Sequence, residues 1–222
     1  MGEFITLTTK DGATINAYKA TPAGTPRGGI VVLQEIFGIN HHIRSVADKY
    51  AAEGYLAIAP ALYDRVSPGV ELDYVQKDIE EGLAIRAKTK IEETLADIAA
   101  AVAVASEAGK TGVVGFCWGG ALAYISAAKL TGIAAGVGYY GGGIAANISE
   151  TFNAPVLLHF GDNDHSIPLS DIEKVQKANP EIPIYVYAAG HGFNCDERSS
   201  YDAEAAKLAR ERTLAFFAEH IG

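Results

Sequence analysis

Gly115-Phe116-Cys117-Trp118-Gly119 sets a thiol between two glycines, after the apolar run Gly112-Val113-Val114-Gly115 and before the helical stretch Gly119 to Lys129. This is the G-x-nucleophile-x-G pattern of a sharp strand-to-helix turn, with cysteine where serine is commoner. The turn strains the nucleophile, and side chains at the flanking positions would collide with neighbouring strand and helix, so both glycines are steric requirements. A thiol at a helix N-terminus meets the positive end of the helix dipole, which favours the attacking thiolate. The plain alternative is a small buried residue at a tight turn. The pattern in its strand-turn-helix setting argues instead for Cys117 as an acyl-transfer nucleophile.

Such a nucleophile needs a base and a group that orients the base, in the chain order nucleophile, acid, histidine. Asp164, in Gly161-Asp162-Asn163-Asp164, follows the apolar run that ends at Phe160, and His191, in Ala189-Gly190-His191-Gly192, follows Ile184 to Tyr187. All three positions fall at carboxyl ends of expected strands, the edge of a parallel sheet where ligand sites form. Asp162 is the main rival to Asp164. His165 is expected to face solvent and His159, inside a strand, to lie in the core. Gln34-Glu35-Ile36-Phe37-Gly38 marks a third strand end, whose loop would donate one backbone N–H of an oxyanion hole. The donors would be Ile36 and Trp118. Glu35 would be an ordinary exposed acid if it points outward, and a partner for the thiol or His191 if it points in.

The elements that must hold these residues are legible as alternation. Phe4 to Thr8 and Thr14 to Tyr18 flank Asp11-Gly12 as an antiparallel hairpin. Gly29 to Leu33, Leu56 to Ala59, Gly112 to Gly115, Ile133 to Val137, Pro155 to Leu158 and Ile184 to Tyr187 are short apolar runs that suggest buried parallel strands. Helical periodicity covers Ile43 to Glu53, Ile91 to Ser106, Gly119 to Lys129, Leu169 to Ala178 and Ala203 to His220. The expectation is an α/β fold, mostly parallel with an antiparallel N-terminal hairpin and helices on both faces, in one domain. Arg65 to Thr89, polar and irregular, is expected to cap the sheet as loop plus helix.

Composition narrows the function. With 18 basic and 27 acidic residues in 222, the net charge is −9, which argues against a nucleic-acid binder relying on overall basic charge. A single core of this length would bury roughly 70–75% of the unfolded chain's surface, so no metal or disulfide is needed to hold it. Two cysteines are too few for a disulfide framework, and Met1-Gly2-Glu3-Phe4 lacks a secretion signal's basic start, so a cytoplasmic protein is expected. The most apolar stretch, Leu130 to Ala146, is repeatedly interrupted by glycine, and no membrane role follows. Gly136 to Gly141 spells G-x-G-x-x-G but opens no helix, which argues against a dinucleotide site. His41 and His42 are adjacent, so on a helix they diverge by about 100°, and no i, i+4 partner completes a ligand set. No metal or cofactor is expected, and Cys195 is expected to be an unpaired thiol.

Gln34-Glu35-Ile36-Phe37-Gly38, Ala59-Pro60-Ala61-Leu62-Tyr63, Gly115 to Gly120, Gly138-Tyr139-Tyr140-Gly141, the Gly161…Asp164…Pro168 segment and Gly190-His191-Gly192-Phe193 together resemble the dienelactone hydrolase (carboxymethylenebutenolidase) family. The likeness runs along nearly the whole chain. It implies an α/β-hydrolase fold with a Cys117-His191-Asp164 triad, and a resting thiol paired with Glu35 until substrate displaces that contact. It also implies arginines that hold a substrate carboxylate, one of them shortly after the histidine, where this chain has Cys195. Arg198 would substitute from three residues on, or the carboxylate site is missing. The second arginine would come from the cap, with Arg65 and Arg86 as candidates. Further substrate contacts are expected from Tyr63 and Phe37.

The leading expectation is a cofactor-independent hydrolase that opens a small enol lactone or ester through a thioester. The alternatives are a carboxylesterase or lactonase with no carboxylate requirement, and a non-catalytic thiol sensor. A small-molecule substrate and a monomer are expected.

Overall fold

A computed structural model of the chain describes residues 2–149 and 151–222. The elements run β1 (Glu3–Thr8), β2 (Thr14–Ala20), β3 (Gly29–Leu33), α1 (His41–Ala52), β4 (Leu56–Pro60), α2 (Gln76–Arg86), α3 (Ile91–Ala105), β5 (Thr111–Phe116), α4 (Trp118–Lys129), β6 (Ile133–Tyr139), β7 (Val156–Gly161), α5 (Leu169–Ala178), β8 (Ile184–Tyr187) and α6 (Ala203–His220). The eight strands form one sheet in the order β1-β2-β4-β3-β5-β6-β7-β8. β1 pairs with β2, and β2 with β4, antiparallel; every other pairing is parallel.

The pleat sorts the helices. A Cβ added to Gly29 would meet Ala105 of α3, and one on Gly136 would meet Ala127 of α4. Through the register Gly29↔Thr111 and Val113↔Gly136 these positions face the same way, since alternate residues share a face. Gly112, one residue out of step, points instead at Phe217 of α6. So α3 and α4 cover one face and α6 the other, where Tyr50 of α1 packs on Phe217 with ring centroids 6.1 Å apart. Strands β3, β4 and β5 are buried along their whole length because both faces are covered, whereas the edge strand β8 leaves Val186 46% exposed.

The expected end of β6 moves. β6 continues to Tyr139, so most of the G-x-G-x-x-G run is strand; a Cβ on Gly138 would stand 2.8 Å from the Gly120 carbonyl, and these glycines serve close helix packing. The Arg65 to Thr89 region forms a loop and then α2, whose backbone lies so close to the loop after β3 that a Cβ on Gly82 would come within 2.2 Å of the Ile36 carbonyl. Among the described residues, no helix is long and apolar enough to cross a membrane.

Candidate active site

The turn between β5 and α4 holds Cys117 at φ 54°, ψ −116°, a left-handed conformation that costs a non-glycine residue about 1–3 kcal/mol. Three backbone bonds hold it: Cys117 N–H donates to the Tyr139 carbonyl at 3.0 Å, and the N–H groups of Gly120 and Ala121 donate to the Cys117 carbonyl at 3.0 and 3.3 Å. The glycines are needed for the reason given by their spacing. A Cβ on Gly115 would lie 1.9 Å from the Gly119 carbonyl oxygen, and one on Gly119 would lie 2.4 Å from that of Leu33. Cys117 is half-buried and lines a cavity of about 500 Å³ with Ile36, Phe37, Arg86, Trp118, His191 and Arg198 among its other walls.

His191 reaches this cavity from the loop after β8. Its Nδ1 donates to Asp164 Oδ2 at 2.7 Å, and the other carboxylate oxygen accepts the Ser166 N–H at 2.8 Å. Asp164 is buried, whereas Asp162 is exposed and accepts from Asn163 Nδ2. Burial alone would lower the His191 pKa, but the Asp164 hydrogen bond and the adjacent Cys117 thiol outweigh it and raise the value to about 10. The ring edge of Tyr140 packs 5.1 Å from it. His159 lies in the core between Tyr187 and Thr213, and His165 faces solvent.

The loop after β3 supplies the opposite wall. Gln34 Oε1 accepts the Leu62 N–H at 3.1 Å, and Leu72 N–H donates to the Phe37 carbonyl at 2.9 Å, which fixes the loop from both sides. Among the described residues, the backbone N–H groups of Ile36 and Trp118 donate to no other protein group. Two free donors beside a thiol can receive the oxygen of a tetrahedral intermediate.

Glu35 points inward and is 1% exposed. Its partners are Arg198, whose Nη1 donates to Oε1 at 3.1 Å, and Tyr74, whose hydroxyl donates to Oε2 at 3.1 Å. The thiol expected to pair with Glu35 lies beside His191 instead. Arg198 also stands over the Tyr74 and Phe37 rings, at 5.5 and 5.9 Å from their centroids. Arg65 is removed from consideration as a cavity arginine because it bridges Asp11 and Asp97 elsewhere; Arg86, at the end of α2, lines the cavity. Tyr63, expected to touch substrate, does not line the cavity: it is buried, stacks on Trp118 and donates to the Gly82 carbonyl at 3.1 Å. Tyr74 was not singled out in the sequence, and no local pattern around it points to Glu35.

A mostly parallel sheet with a strained strand-to-helix cysteine, and an aspartate and histidine at two further strand ends, defines an α/β-hydrolase. Residues 15–221 match the dienelactone hydrolase family, to which the chain belongs and whose hydrolytic class it shares. It is 36% identical to the carboxymethylenebutenolidase of Pseudomonas putida, over 97% of this chain and 96% of that protein. It is 37% identical to a provisionally identified carboxymethylenebutenolidase of Synechocystis, over 91% of each. A crystal structure of a provisionally identified dienelactone hydrolase from Klebsiella pneumoniae superimposes with a TM-score of 0.84 at 33% identity, covering 98% of this chain and all of that one.

Proposed function

We propose that the protein opens a small enol lactone, or cleaves a small activated ester, by acyl transfer to Cys117. The observation that carries this reading is the convergence of the Cys117 thiol, the His191-Asp164 pair and the free N–H groups of Ile36 and Trp118 on one cavity. Cys117 sulfur attacks the carbonyl carbon while the two N–H groups receive the developing oxyanion. His191, oriented by Asp164, takes the Cys117 proton as the sulfur attacks and gives it to the departing oxygen as the tetrahedral intermediate collapses to a thioester. Neutral His191 then takes a proton from water, whose oxygen attacks the thioester, and returns that proton to the departing sulfur, which regenerates the thiol. Thiolates leave readily from such intermediates, so an activated leaving group such as an enolate suits this nucleophile.

The names of the relatives favour a substrate that carries a carboxylate, with Arg198 and Arg86 as its cations. One observation favours a second reading: Arg198 is already engaged by Glu35, so a neutral lactone or ester would leave that pair undisturbed. The reading includes a cytoplasmic, monomeric enzyme, in keeping with two unpaired cysteines.

Hydrolysis of cis- and trans-dienelactone, followed by loss of ultraviolet absorbance, tests both readings. The native chain should turn over, and Cys117→Ala should lose at least about 10³-fold, the scale seen when a nucleophile of this kind is removed. Near-normal turnover by Cys117→Ala would refute the nucleophile. Equal rates on charged and methylated forms of one lactone would select the second reading.

A further inference from the structure

We infer that Glu35, His42 and Cys195 form a binding site for a thiophilic divalent transition ion of the zinc class. The three come from the end of β3, the start of α1 and the loop before α6, which is why neighbouring residues gave no sign of a ligand set. One ligand atom of each lies within 4.8 Å of the others. All three side chains are buried, with exposures of 1%, 1% and 0%.

A second observation singles out the histidine. Among the described residues, neither ring nitrogen of His42 has a hydrogen-bond partner. Buried polar atoms are nearly always partnered, so a desolvated imidazole beside a thiol and a carboxylate has the arrangement of a ligand awaiting an ion.

The donor set decides the class of ion. Sulfur, imidazole nitrogen and carboxylate oxygen suit zinc and its neighbours, whereas magnesium and calcium require oxygen throughout. Asp196 Oδ1 stands 3.6 Å from His42 Nδ1, where a carboxylate orients a metal-bound imidazole. The charges also close: Glu35, Asp196, Glu197 and a Cys195 thiolate are matched by Arg198, Lys49 and a dication. On binding, a sulfur–metal bond forms, the thiol proton passes to solvent, and nothing is oxidised or reduced. Because Glu35 also holds Arg198 on the cavity wall, an ion here would be felt at the candidate active site.

Cobalt(II) titration of Cys117→Ser, which removes the other thiol, tests the site by absorbance, independently of turnover. The expected result is one ion per chain and a thiolate-to-cobalt charge-transfer band. The Cys117→Ser/Cys195→Ser variant should lose the band while melting, metal-free, at the same temperature as Cys117→Ser. If that variant does not fold, His42→Gln in the Cys117→Ser chain should weaken binding at least tenfold. No band in Cys117→Ser, a band that survives loss of Cys195, or unchanged affinity in His42→Gln would overturn the proposal. Metal-free turnover of the native chain reports separately on the lactone reading.

Discussion

Asp164→Asn keeps the shape of the side chain and removes its charge, which isolates what the carboxylate does for His191. His191 titrates at about 10 against an ordinary 6.5, with burial opposed and outweighed by the Asp164 hydrogen bond and the Cys117 thiol. A group whose folded pKa is raised contributes stability that is fully present below its unfolded pKa and is lost as pH rises through the folded one. At about 1.4 kcal/mol per unit, the interval from 6.5 to 10 corresponds to roughly 4 kcal/mol at pH 7. Asp164 supplies the first of the raising interactions, and a hydrogen bond to a charged group contributes about 1.5–3 kcal/mol, so its replacement should remove about that much at pH 6 to 7. The assay is urea unfolding of both proteins at pH 6, 7, 8, 9 and 10. Because all other titrating groups are shared, the gap between the curves reports on His191, and it should narrow steadily towards pH 10. A gap of constant size from pH 6 to 10 would refute the reasoning. So would an imidazole pKa, followed by NMR, that is the same in both proteins.

Gly115→Ala and Gly119→Ala should each destabilise by more than about 2 kcal/mol in thermal or urea unfolding, since each Cβ would press on backbone carbonyl oxygens. Gly24→Ala, with nothing within 4 Å of its Cβ, should shift stability by less than about 0.5 kcal/mol and serves as the control. Arg198→Met strands the buried Glu35 carboxylate beside Tyr74 alone and should cost about 3–5 kcal/mol, read as a lower urea midpoint. Arg86→Met should raise KM for a carboxylated lactone with little change for its methyl ester, whereas Arg65→Met, which breaks the pairs with Asp11 and Asp97, should lower the melting temperature and leave both KM values unchanged.

How far the chain could be read depended on whether each contact is local. The central strands were visible because coverage on both faces demands unbroken apolar runs, and the starts of α5 and α6 were visible because Pro168 and Asp202 mark where they begin. The Asp164–His191 contact was also within reach, since each residue sits just past a strand and parallel strands carry such loops to one edge. Glu35 was different. Its direction left two outcomes open, and it is settled by Tyr74 and Arg198, which lie 39 and 163 residues away. The cation there could not be found by counting from His191. Counting lands on Cys195, but the segment coils: Cys195 N–H bonds the Gly192 carbonyl at 2.9 Å and Arg198 N–H bonds the Cys195 carbonyl at 3.1 Å. Two successive turns carry the guanidinium back over Phe37 and Tyr74 to Glu35, while Cys195 itself is folded beneath, next to His42. A shift of three positions, invisible as spacing, thus separates two residues into different jobs: one faces the cavity as a charge, and the other is left as a buried thiol among metal-ligating groups.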